Sequence, residues 1–153
     1  MVPISLWMNA LVGGPLLAAI TLYAAQWRAL AGRFGLLLMT VPFIALAANT
    51  VVYIVQGMQL GGVANSVVAA ADLVPHYHTM LLAFALMCFA GCVLAAFTMH
   101  TVSREAVVHG GGELALSRRV LVRLLVACLL VFAGIFVMRF AFYMMHLTVG
   151  LAV

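Results

Sequence analysis

The chain is dominated by four long apolar stretches, and the three segments between them hold most of its charge. The stretches cover roughly residues 3–25, 34–58, 77–99 and 120–148. Each can cross a membrane as a helix, because a bilayer core about 30 Å thick needs about 20 apolar residues. The fourth is longer than a span requires, so we expect it to tilt or to emerge at one end. The pattern predicts an all-α integral membrane protein, a four-helix bundle.

The composition supports a membrane protein and excludes a water-soluble fold. Of 153 residues, 68% are hydrophobic and only 7% are charged, whereas a soluble domain carries about 25% charged residues. Seven arginines and no lysines give a basic chain. Because these arginines lie mainly between the apolar stretches, they are orientation signals rather than a nucleic-acid surface. We expect one transmembrane domain over residues 1–153 and no nucleic-acid partner.

The arginines also predict the orientation of the bundle. The connections at 26–33 and 100–119 carry arginines, and the connection at 57–76 has none. The positive-inside rule therefore places the first and third connections in the cytoplasm and both termini outward, in the periplasm. Arg123 lies one turn inside the fourth span and can snorkel to the cytoplasmic side. Arg139 is then the one arginine that does not fit the predicted orientation. The middle of the second connection is mildly amphipathic and could form an interfacial helix.

Small residues at helix-packing spacing indicate where helices approach one another in lipid. The pairs are Gly14 with Ala18, Ala45 with Asn49, and Gly91 with Ala95. Asn49 is also a polar group in the middle of a span, so we expect it to form a hydrogen bond to another helix.

The last apolar stretch contains an unusual set of polar residues. Arg139, Tyr143, His146 and Gly150 are spaced so that they fall within roughly 60° of one another on a helix. A charged residue inside a span costs about 2.5–3.5 kcal/mol on insertion scales. We therefore expect Arg139 to face a partner, a cavity or a ligand.

With the predicted topology, several polar side chains collect at the outward face. Histidine, aspartate and tyrosine can accept or relay protons, and arginine can bind a quinone carbonyl, so the set could support quinol oxidation. Interfacial aromatic residues and an arginine paired with a carboxylate on a neighbouring helix are the structural alternative. The candidate quinol-binding or proton-relay residues are Gln56, Asp72, His78, Arg139, Tyr143 and His146.

A metal or haem site is not predicted. The three cysteines lie inside apolar stretches without a CxxC pattern, which indicates packing rather than an iron–sulfur or zinc site. His78 and His146 could lie at similar depth, as bis-histidine haem ligation requires, but both are near helix ends and a second pair is missing. A haem-bearing cytochrome subunit and a transporter half nevertheless remain alternative functions for a four-span protein.

Four short motifs occur together in order along the chain: GGPLL at 13–17, VQG at 55–57, LVP at 73–75 and R-x-x-F-Y-x-x-H-x-T-V-G at 139–150. In this combination the chain resembles the membrane anchor subunit of bacterial dimethyl sulfoxide reductase. The resemblance runs through nearly the whole chain and is weakest around the third connection.

The resemblance implies a haem-free subunit of the bacterial inner membrane with both termini outward. Such a subunit anchors a molybdopterin catalytic subunit and an iron–sulfur subunit, and it passes them electrons from menaquinol in the quinone pool. Family anchors have eight spans, and this chain is similar to the C-terminal four, so it is a fragment, one part of a split gene or a half-size variant. The family's best-supported quinol-oxidation histidine lies in the other half, and no residue here inherits its role.

Overall fold

The structure, a computed structural model, contains four long helices. It describes residues 2–27, 30, 32–60, 74, 76–108 and 117–149, with the side chains of residues 2–3, 106–108 and 145–149 excepted. Helix α1 is Val2–Ala24, α2 is Arg33–Gln59, α3 is Tyr77–Val108 and α4 is Arg118–Val149. All four are long and apolar enough to cross a membrane. The prediction of an all-α fold with four spans is confirmed.

The helix ends differ most from the predicted spans around the third connection. Helix α3 continues to Val108 and α4 begins at Arg118, so much of the segment predicted as a connection at 100–119 is helical. At 32 residues each, these two helices are about 48 Å long at 1.5 Å per residue. They therefore extend beyond an apolar core about 30 Å thick. Hydropathy marks where the lipid ends, whereas the helices continue into the polar region.

Helix α1 ends in a Schellman turn. Gln26 adopts a positive φ of 54°, its N–H donates to the Tyr23 carbonyl at 3.0 Å, and the Trp27 N–H donates to the Leu22 carbonyl at 3.0 Å. These two bonds satisfy carbonyl groups that the end of a helix leaves unpaired. The Trp27 ring then meets Phe34 edge-on at 5.3 Å, which connects the turn to the start of α2.

The helices form an antiparallel bundle in which each packs against its neighbours in sequence, and α4 closes the ring against α1. The diagonal pair α1 and α3 barely touch. The connections of eight and nine residues at 25–32 and 109–117 favour antiparallel neighbours. Consequently the start of α1, the end of α2, the start of α3 and the end of α4 share one end of the bundle.

The closest helix contact joins α3 to α4 through two glycines. A Cβ placed on Gly91 would lie 2.6 Å from the Ala127 carbonyl oxygen, and one on Gly134 would lie 2.8 Å from the Cys88 sulfur. Cys88 also donates its thiol hydrogen to the Val131 carbonyl across the same interface, at 3.5 Å. Lipid tails are as apolar as the side chains, so helix association in a membrane depends on such close packing. The prediction that Gly91 is a packing position is confirmed.

The prediction that Gly14 is the packing glycine of the first helix was wrong by one residue. Gly14 is exposed, and a Cβ there would meet nothing within 4 Å. Gly13 is the buried glycine, and a Cβ on it would lie 3.2 Å from the Phe132 ring of α4. Adjacent residues differ by 100° around a helix, so the rotation of α1 decides which glycine faces the bundle.

We predict that Gly91→Ala destabilises the bundle while Gly14→Ala does not. The methyl group on Gly91 must displace the Ala127 backbone or separate two helices, and overpacking of this kind costs about 1–3 kcal/mol. The methyl group on Gly14 enters open space, and alanine favours the helix. The free energies of unfolding of both variants in lipid bicelles measure the difference. Equal effects would contradict the close approach of α3 and α4.

Candidate functional site

Two of the predicted outward-face residues lie at the same end of the bundle because α2 and α3 meet there. A Cβ on Gly57 would lie 2.7 Å from the Tyr77 ring, so glycine at this position admits the tyrosine. The Tyr77 hydroxyl donates to the Tyr53 carbonyl at 2.8 Å. Gln56 and His78 are the immediate sequence neighbours of this contact, so α2 and α3 hold them at one level.

The register of α3 and α4 brings Arg139 and Tyr143 to that same end. The Gly134 backbone lies against the Phe84 carbonyl, at 3.2 Å from an added Cβ. The two helices are antiparallel, so seven residues before Phe84 on α3 corresponds to seven residues after Gly134 on α4. Tyr77 therefore lies near the level of residue 141. Arg139 and Tyr143 therefore lie within about 3 Å of that level along the axis, at 1.5 Å per residue.

The four described candidates share this end without forming a bonded cluster. Tyr143 is 58% exposed and its ring meets Phe142 edge-on at 5.8 Å. His78 is exposed and meets the Tyr77 ring at 6.1 Å, whereas Gln56 and Arg139 are half-buried. Among the described residues, no hydrogen bond or ion pair joins these four side chains to one another. The two exposed side chains, His78 and Tyr143, are accessible to a ligand or a partner.

Two of the candidate side chains, those of Asp72 and His146, lie outside the described part of the protein. Asp72 lies outside the described residues, as does the stretch predicted as an interfacial helix. His146 belongs to α4, but its side chain is outside the described part of the protein. Their roles stay predictions.

A buried polar network between α1 and α2 lies just inside this end. The Asn49 amide donates to Asn9 Oδ1 at 2.7 Å, and the Asn9 amide donates to the Tyr53 hydroxyl at 3.2 Å. Both asparagines and the tyrosine are buried. The expectation that Asn49 bonds across helices is confirmed. The spacing of small residues does not indicate Asn9 or Tyr53, although an isolated asparagine in each of two neighbouring spans is a signal that identifies the asparagine pair.

One atom of this polar network is left without a partner. Asn49 is 0% exposed, and its Oδ1 has no hydrogen-bond partner among the described residues. Exchanging the oxygen and nitrogen positions of both asparagine amides keeps the network intact but leaves the Asn49 nitrogen unpaired instead. The network therefore stabilises α1 against α2 at some cost in desolvation.

An apolar cleft of about 430 Å³ opens on the outer surface between α2 and α3, closer to the middle of the two helices. Its walls include Leu46 and Ala47 of α2 and Ala85 of α3, and Phe43 meets Phe89 edge-on at 6.2 Å beside it. The Thr50 hydroxyl, which also lines the cleft, donates to the Leu46 carbonyl of its own helix. The cleft thus offers apolar contact and is suited to an aliphatic or isoprenoid tail.

The opposite end of the bundle is basic. Arg33 starts α2, Arg104 lies near the end of α3, and Arg118, Arg119 and Arg123 lie in the first two turns of α4. All five are exposed. In the described part of the protein, every arginine except Arg139 therefore lies at this end, where Glu105 is also found, and the four candidate residues lie at the other.

Within the described ranges, no group of three histidine, cysteine or acidic residues is placed to hold a metal ion. The three cysteines are free and buried among apolar side chains.

Four apolar helices in an antiparallel bundle, each able to span a bilayer, define a multi-pass helical membrane protein. The model of the family described as DMSO reductase anchor subunit (DmsC) matches residues 1–145. The protein belongs to this family.

Two curated relatives from Escherichia coli K12 extend the comparison. The YnfH subunit of an anaerobic dimethyl sulfoxide reductase is 29% identical over 98% of this protein and 46% of its own length. The C subunit of anaerobic dimethyl sulfoxide reductase is 31% identical over 99% of this protein and 47% of its own length. The protein thus spans about half the length of these relatives. No solved structure matches it significantly.

We predict that Asn49→Leu destabilises the bundle by about 1 kcal/mol, since interhelical hydrogen bonds in membranes average about 0.6 and reach about 1.7 kcal/mol. Thr50→Val is the matched control, because the Thr50 hydroxyl bonds only its own helix. The double variant Asn9→Leu/Asn49→Leu should lower the free energy of unfolding by less than the sum of the single changes. Each single change leaves the other asparagine without its hydrogen-bond partner, whereas the double change removes both. Additive free energies of unfolding would contradict the bond.

Proposed function

We propose that this protein is part of the membrane anchor of a dimethyl sulfoxide reductase-type enzyme in the bacterial inner membrane. In this role it tethers a molybdopterin catalytic subunit and an iron–sulfur subunit, and it passes electrons from menaquinol towards them. The observation that carries the proposal is the family match over residues 1–145. The anchor itself holds no cofactor in this proposal, and the redox groups belong to its partners.

The proposed orientation puts the basic end in the cytoplasm and both termini in the periplasm. Arg33, Arg104 and the three arginines that begin α4 support it, because they share one end of the bundle and arginine is retained on the cytoplasmic side. Gln56, His78 and Tyr143 then face the periplasm, which is where menaquinol oxidation would release its two protons.

We propose further that the protein supplies one half of an eight-span anchor. The support is that its match covers 46–47% of each of the two relatives. The other four spans would belong to the same polypeptide, to a separate polypeptide or to a second copy.

The periplasmic end and the apolar cleft together support a place for menaquinol. Thr50 in the cleft is six residues before Gln56 on α2, and Ala85 is seven residues after His78 on α3. Both separations amount to about 10 Å along the bundle. A quinol whose head group meets Gln56 or His78 can therefore lay its isoprenoid tail towards the cleft.

The anchor role is tested by purifying the protein, tagged, from bacterial membranes in which the genes of its natural neighbourhood are co-expressed. We expect a molybdopterin subunit and an iron–sulfur subunit to co-purify, with reduction of dimethyl sulfoxide by a menaquinol analogue. A protein that purifies without partners would refute the anchor role.

Arg139→Leu should lower menaquinol-dependent turnover of this complex roughly ten-fold or more, the effect of losing a charged hydrogen bond, or should block assembly. Arg139→Lys keeps the charge and should retain part of the turnover. Activity with a reduced dye, which bypasses the anchor, is the control and should not change in assembled complexes. Normal assembly together with normal turnover would exclude Arg139 from binding a ligand or a partner.

Ala47→Phe should raise the KM for a long-tailed menaquinol on the order of five-fold, because the ring occupies the cleft and removes apolar contact with the isoprenoid tail. Ala48→Phe is the matched control, since Ala48 is exposed on the same helix but does not line the cleft. A quinol analogue without the isoprenoid tail should show the wild-type KM in both variants. An equal rise for both quinols would show that the substitution disturbs the fold instead.

A further inference from the structure

We propose that the first two turns of α4 form a binding site for an anionic phospholipid. Arg118, Arg119, Val122 and Arg123 line a single open cleft of about 490 Å³. All three arginines are exposed, and the first turn of α4 contains no acidic residue. Three positive charges therefore face one cleft lined by no described carboxylate, and guanidinium groups bind phosphate oxygens in bidentate fashion.

The site is held in place by a contact to another helix. The backbone N–H of Ser117, directly before Arg118, donates to the Tyr23 hydroxyl at 3.0 Å. Tyr23 is only 2% exposed and belongs to α1. This bond connects the start of α4 to the end of α1, so the backbone that carries the arginines is ordered before any lipid arrives and less entropy is lost on binding.

The depth of the cleft matches a lipid head group. The stretch of α4 that is long and apolar enough to span a membrane begins at Arg118, so the arginines lie at the polar end of that stretch. On the same side of α4 as the cleft, Val122, Val126 and Leu129 are 49%, 43% and 69% exposed. Their spacing continues the face of the cleft along the helix into the apolar region.

This apolar continuation favours a lipid over a protein partner. A soluble subunit could contact the arginines, but it could not reach Val126 and Leu129, which lie about 10 Å and 15 Å further along the helix than Arg119. An amphiphile with a negatively charged head group and acyl tails meets both parts at once. Basic clusters beside spans attract anionic lipids by about a factor of five in affinity for each arginine.

The test compares the purified wild-type protein in nanodiscs of phosphatidylcholine with and without phosphatidylglycerol. Native mass spectrometry should show retained phosphatidylglycerol, with about a hundred-fold lower affinity for Arg118→Gln/Arg119→Gln/Arg123→Gln. The control is Arg33→Gln/Arg104→Gln, which removes arginines from the same end of the bundle but not from the cleft. Unchanged retention in the triple variant, or an equal loss in the control, would overturn the proposal.

Two further measurements keep the result interpretable. Lysine at all three positions preserves the charge that orients the protein but removes the bidentate fork, so the triple lysine variant should insert normally and retain less phosphatidylglycerol than wild type. Leu129→Ser should weaken retention of the lipid but not binding of inorganic phosphate. If the arginine variants instead lose only the iron–sulfur subunit from the co-expressed complex and keep the lipid, the cleft is a protein-docking surface and the lipid site is refuted.

Discussion

The close approach of α3 and α4 at Gly91 and Gly134 is the constraint on which the remaining arrangement depends. A bilayer supplies no hydrophobic force between helices, so they associate only where their surfaces come close enough for dispersion and for weak polar contacts. A Cβ atom added to either glycine would lie less than 3.0 Å from an atom of the other helix. Neither position can therefore hold a larger residue unless one of the helices moves. This contact sets the axial register of α4, and the register in turn places Arg139 and Tyr143 at the level of His78 at one end and three arginines at the other.

The sequence predicted the existence of all four helices because hydropathy responds directly to bilayer thickness. It could not predict which side of each helix faces the bundle. In a soluble protein an amphipathic pattern reveals that side, but helices in lipid are apolar all around. This explains why the sequence pattern indicates Gly14 as the packing glycine whereas the structure buries Gly13. It also explains why the pattern indicates Asn49 without Asn9 or Tyr53. The candidate site was limited in the same way, since the level of Gln56, His78, Arg139 and Tyr143 follows from packing contacts.

Two of the short motifs that carry the family resemblance prove to contain packing positions. Gly57 in the VQG motif provides the space that the Tyr77 ring occupies, and Gly13 in the GGPLL motif faces Phe132. These glycines connect α2 to α3 and α1 to α4. The glycines of these two motifs therefore specify how the bundle closes. The family resemblance in these two motifs consequently concerns the packing of the helices more than the chemistry of the end that holds Gln56, His78, Arg139 and Tyr143.

Arg139 differs energetically from the other arginines. Those at the basic end lie where water and lipid head groups solvate them, whereas Arg139 is half-buried in α4 between Phe136 and Phe140, which face outward. The described residues offer it no ion pair, and an unpaired charge inside a span costs about 2.5–3.5 kcal/mol. Its place near the polar end of the bundle lets the long side chain extend towards the interface, which lowers that cost. A ligand, another segment or a second polypeptide that meets the guanidinium group there would lower it further.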